Sequence, residues 1–76
     1  MEASVKKSRY AIVIEEGPTS FGATVPDLPG CFAVGRTRAE VERLIEEAIT
    51  EHIALRESQG ETVPDPKTQV ASVTVG

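Results

Sequence analysis

Few side chains in this sequence can do chemistry. Cys31 is the only cysteine and His52 the only histidine, and neither has a base or second nucleophile beside it in an interpretable spacing. Cys31 lacks a partner for an internal disulfide or a paired metal site, so its type points to a small packed residue more than to a reactive thiol. His52 falls beside the apolar stripe of a helical segment near its end, where a structural histidine or one interacting with the helix dipole is the ordinary reading. Glu47, Glu51 and His52 sit on adjacent helical turns, but glutamates at that spacing are commonplace and no metal site is assigned. No cofactor is implied.

The densest stretch is VPDLPGCFAVG, Val25 to Gly35. Pro26 and Pro29 cannot donate to a ladder, and Leu28, preceding a proline, is pushed towards an extended backbone, so strand pairing should stop here. Pro29-Gly30 suits a tight turn with positive φ at Gly30, and Asp27 can accept backbone N–H groups within it. The stretch therefore reads first as a rigid chain reversal. In a functional reading, Asp27, Leu28 and Cys31 project from it towards a ligand or partner.

The elements that must position this loop follow from pattern. RYAIVIEE, Arg9 to Glu16, is rich in β-branched and aromatic residues and predicts a strand. GPTS punctuates a hairpin, and FGATV, Phe21 to Val25, predicts a second strand with Phe21, Ala23 and Val25 on one face. CFAVG pairs as a third. Thr37-Arg38-Ala39-Glu40 has the form of a capping box, starting a helix at Arg38. Val41, Leu44, Ile45, Ala48, Ile49 and Ile53 make its apolar face, and Gly60 stops it. Arg38 with Glu42 and Arg43 with Glu47 are i,i+4 pairs on the solvated side. ETVPDPK is a proline-stiffened connector, and Gln69 to Val75 predicts a final strand. The order β-β-β-α-β is an α+β fold, one domain over residues 1–76 with its core at about 9–75: an antiparallel meander with one helix on one sheet face.

Seventy-six residues with eight Lys and Arg against twelve Asp and Glu give a net charge of −4. That balance argues against direct nucleic-acid binding, which needs a basic patch, and permits an electropositive protein partner. There is no leader-like apolar run and no stretch of eighteen apolar residues, so a cytoplasmic protein without a membrane span is expected. One helix covers one face of a sheet, yet Ala11 and Val13 oppose Tyr10, Ile12 and Ile14 on the first strand. A domain this small buries too little of itself to leave the second face bare. Self-association, as a dimer or tetramer, or a bound partner is expected.

Y-x-I-x-I-E, then F-x-A-x-V-PDLPGC, G-x-T, a helix rich in E-A-I and G-x-x-V-P-x-P together resemble the HicB-like antitoxin domain of bacterial toxin–antitoxin modules. The resemblance spans about Tyr10 to Pro66. It implies a degraded RNase H-like fold of the same element order, and a role in binding a small basic toxin, related to double-stranded-RNA-binding domains, that cleaves messenger RNA. The antitoxin would occlude the toxin's catalytic histidine and RNA surface. Pro26, Asp27, Leu28, Pro29, Gly30 and Cys31 match the signature, and Gly35 and Thr37 its approach to the helix, with Glu40 completing the cap. Arg36 stands where an acidic residue is common. Many relatives continue into a DNA-binding domain where this chain stops at Gly76, so autorepression by this polypeptide alone is not expected.

RNase H ancestry also raises a metal-dependent nuclease, whose carboxylates would have to converge on two metal ions. Glu15, Glu16 and Asp27 near strand ends, and Glu40, Glu46 or Glu47 on the helix, are the candidates, and their placement does not suggest convergence. The reading is a noncatalytic protein-binding module, with Asp27, Leu28, Pro29, Cys31, Glu15 and Glu16 as partner-binding residues. The alternative is a stand-alone homo-oligomeric domain of the same family.

Overall fold

A short antiparallel meander carries the chain into one long helix, in a computed structural model that describes residues 9–76. Strands β1 (Val13–Glu16), β2 (Phe21–Thr24) and β3 (Phe32–Gly35) lie in the order β1-β2-β3, followed by α1 (Arg38–Ser58). Val13 pairs with Thr24 and Thr24 with Phe32; Ile14 pairs with Ala23 and Ala23 with Ala33. Side chains directly opposite share a face, so Ile14, Ala23 and Ala33 point towards the helix, and Val13, Thr24 and Phe32 away from it.

The α+β fold matches expectation, with two differences. β1 is shorter than Arg9 to Glu16. Its register, continued backwards, sets Ala11 opposite Pro26, which has no N–H to give, so the ladder ends. The second difference is the absence of the final strand: among the described residues none forms after α1, and Gln69 to Val75 runs unpaired. β-propensity alone does not make a strand; it needs an edge within reach, and the chain is led away from one, as described below.

The helix begins as its cap predicts. The Glu40 N–H donates to Thr37 Oγ1 at 3.0 Å, but the Glu40 carboxylate reaches one residue further back than a standard box and accepts from the Arg36 N–H at 2.6 Å. Gly35 makes this approach possible, since a Cβ there would lie 2.9 Å from the Val41 nitrogen. At the other end, the Gly60 N–H bonds Glu57 O and the Glu61 N–H bonds Arg56 O, with Gly60 at φ +73°, a Schellman close.

Val41 and Ile45 of α1 are buried against Ala23, Val25, Leu28 and Cys31. The helix packs over β2 and β3 and makes no close backbone approach to β1. Tyr10, Ile12 and Ile14 are consequently only half-covered. No helix among the described residues is long and apolar enough to cross a membrane.

Candidate protein-binding site

The motif loop is two turns sharing one residue. The Leu28 N–H bonds Val25 O and the Cys31 N–H bonds Leu28 O, each at 3.0 Å, with Pro26 and Pro29 each second in its turn. Gly30, third in the latter turn, has φ +87°, the sign that a type II turn requires. The shared residue, Leu28, turns fully inward at 0% exposure, and Cys31 joins it in the core. Burial pushes the Cys31 thiol above its ordinary value, which favours the protonated form. Pro29 and Gly30 stay exposed at the tip.

Asp27 works outside its own turn. Its Oδ2 accepts the Lys67 N–H at 3.1 Å and the Thr68 N–H at 2.9 Å, while Oδ1 accepts the Thr68 hydroxyl at 3.0 Å. Donation from the Thr68 backbone is the main reason its carboxyl titrates below the ordinary value of 3.8; the Thr68 hydroxyl and Lys67 add to this. The chain-local role expected for Asp27 is thus replaced by a clasp on the connector. Turn geometry already satisfies the loop, leaving the carboxylate free to reach a segment forty residues on.

A second anchor lies beside it. Tyr10 donates its hydroxyl to Pro64 O at 2.6 Å. Partial burial, then the charges of Asp65 and Asp27, hold the phenol above its ordinary value, so it stays a donor. Extending the β1–β2 register puts Tyr10 opposite Asp27. The connector therefore crosses the end of the sheet, touching β1's approach at Pro64 and β2's continuation at Thr68.

The expected partner-binding residues do not form one cluster. Glu15 and Glu16 lie on β1 next to the hairpin, at the opposite end of the sheet from the motif loop. Both are exposed, as is Pro29. Glu15 shares the helix-distant face with Val34, across Gly22, and Phe32 lies on the same face. Phe32 is 66% exposed and Val34 59%. These two apolar side chains were missed as site residues, although the alternation that buries Cys31 and half-buries Ala33 already turns Phe32 and Val34 outward.

On the helix side, a groove of about 560 Å³ runs between α1, Tyr10 on the approach to β1, and the connector. Ile49, Ile53, Val63 and Tyr10 give it an apolar lining, and Glu46, Glu57 and Asp65 also border it. His52 lies outside it and accepts from Arg56 Nε at 3.0 Å, a within-helix role. The carboxylates considered for nuclease chemistry are dispersed between the hairpin, the motif loop and the helix, and among the described residues no three His, Cys, Asp or Glu gather to hold a metal ion.

Residues 10–74 match a family model described as the HicB_like antitoxin of bacterial toxin-antitoxin system. A chain of the solved HicA3 and HicB3 toxin-antitoxin complex superposes with a TM-score of 0.68 at 35% identity, covering 78% of this chain and 70% of that one. An uncharacterized 14.9 kDa protein in the rep-hol intergenic region of Haemophilus phage HP1 (strain HP1c1) is 43% identical over 44 residues, which are 58% of this chain. The match spans 33% of the phage protein's length.

Proposed function

The chain belongs to the HicB-like antitoxin family, and from that premise we propose that it binds and neutralises a small, basic, mRNA-cleaving toxin by covering the toxin's active site. The likeness to a chain of the HicA3 and HicB3 complex carries this reading, because 35% identity with matching folds extends over most of both chains. The net charge of −4 suits a basic partner and would steer its approach.

The surface offered to the toxin is the helix-distant sheet face with its two ends: Phe32, Val34 and Glu15 on the face itself, Glu16 at the hairpin edge on the opposite side of β1, and Pro29 at the loop tip. Exposed apolar groups rimmed by carboxylates match a partner with both apolar and cationic surface. Leu28, Cys31 and Asp27 act through the loop they hold, Leu28 and Cys31 from the core and Asp27 through its clasp. The chain's own role in this proposal is steric and electrostatic, with no reaction of its own.

The test is co-expression with the basic polypeptide of about sixty residues expected from the adjacent reading frame. Growth rescue, a co-purifying complex and loss of RNA cleavage on adding the antitoxin support the reading. A toxin that neither binds nor loses activity defeats it. Phe32→Asp with Val34→Asp should abolish neutralisation while leaving the circular dichroism of the free chain unchanged, because both side chains already face solvent.

A further inference from the structure

The last segment of the chain has apolar residues and nothing to lie on. Val70, Val73 and Val75 are 80%, 83% and 86% exposed, and no charged residue occurs from Thr68 to Gly76. Ala71, Val73 and Val75 fall with Gln69 on one side of an extended backbone, and Ser72 and Thr74 with Val70 on the other, so from Ala71 onward the alternation is that of a half-buried strand. The described residues span 52 Å in their longest dimension, with a radius of gyration of 14.7 Å, against roughly 11 Å for a closely packed chain of this length.

The same chain carries a vacancy of matching character. Because α1 sits over β2 and β3, the β1 side is left half-roofed, and the groove lined by Tyr10, Ile49, Ile53 and Val63 opens there. β1 is also an edge strand, able to accept a further strand through its unpaired backbone groups. The segment does not reach its own groove. Pro64 is held at Tyr10, then Lys67 and Thr68 are held at Asp27, so the connector has already crossed to the β2 side before the valines begin. Returning to β1 would need a reversal, and Gln69 to Val75 contains neither glycine nor proline.

We propose that residues 69–75 form an exchange arm that lies in the groove of a second copy of this chain, between its α1 and the residues leading into its β1, and that the second copy returns its own arm in the same way. Two-fold reciprocity makes the interface self-complementary and doubles its area. Each seven-residue arm is about 23 Å long at ~3.3 Å per residue. Two such arms bury roughly 1,000 Å² in total, the size at which a specific interface becomes plausible. Absence of charge on the arm lets two acidic chains meet there without setting like charges against Glu46, Glu57 and Asp65. The inference does not rest on toxin binding, and either can fail alone.

Exchange between introduced cysteines tests it, with the native Cys31 buried in the core and out of reach of either. Val73→Cys on one preparation and Thr50→Cys on another, mixed and oxidised, should yield a disulfide-linked heterodimer, since Thr50 borders the groove. Light scattering should give twice the chain mass for the wild type, and Val73→Asp with Val75→Asp should raise the dimer dissociation constant at least about tenfold while leaving helix content unchanged. An internal bridge in the Val73→Cys, Thr50→Cys double variant, with no bridge between mixed chains, would place the arm in its own groove and overturn the proposal. So would a wild type that stays monomeric at every soluble concentration, or a dimer indifferent to the aspartates.

Discussion

At the residue scale, Asp27 shows how a signature position can be legible in type and not in task. The turn residues around it could be read directly, because proline and glycine restrict their own backbone. The partner of a carboxylate forty positions away follows no local rule, and Lys67 and Thr68 gave no signal in the sequence. The clasp has a pH signature. A folded-state value below 3.8 means that ionised Asp27 stabilises the fold above that pH, and that this contribution is lost as pH falls through the folded value. Asp27→Asn should therefore lower the melting temperature at pH 7, and the gap to wild type should shrink on acidification to pH 3. A constant gap would show that the ionised form adds nothing. Cys31 was readable as a packed residue from its isolation in the sequence. With its thiol buried and raised, modification by a thiol reagent should be much slower in the native chain than in urea; equal rates would contradict the packing described.

At the element scale, three strands and the helix were readable because each carries its own period and punctuation. The fourth strand was not, since alternation reports what a segment could do and says nothing about whether an edge is available to it. Thr37→Ala removes the acceptor of the Glu40 N–H and should cost about 1 kcal/mol, a drop of roughly 4–8 °C in melting temperature for a domain of this size. The glycines of neighbouring strands should diverge under the same substitution. A Cβ on Gly35 meets the Val41 nitrogen at 2.9 Å, whereas one on Gly22 meets nothing within 4 Å. Gly35→Ala should destabilise by about 1–3 kcal/mol, and Gly22→Ala should be neutral or slightly stabilising. Denaturant midpoints for the pair would expose an error in the β3–α1 junction if the two behaved alike.

At the scale of the whole molecule, the shortage of cover could be read from the ratio of one helix to a sheet apolar on both sides, and Phe32 and Val34 lie exposed on the bare side as that shortage requires. Where the helix would sit could not be read. Its position over β2 and β3 depends on Leu28 and Cys31 entering the core beneath it, a three-dimensional outcome of the double turn. A chain completed by others should melt higher as its concentration rises or its partner is added; calorimetry across a hundredfold dilution with an invariant midpoint would speak against association. The crossing of the connector over the end of the sheet has one more outcome. Tyr10 and Asp27 grip neighbouring points of a single strap, so the opening and closing portions of the polypeptide are fastened at a common latch. Loosening at that latch would leave the helix and the two strands under it as the last part to exchange amide protons, with the leading strand and the strap giving way together.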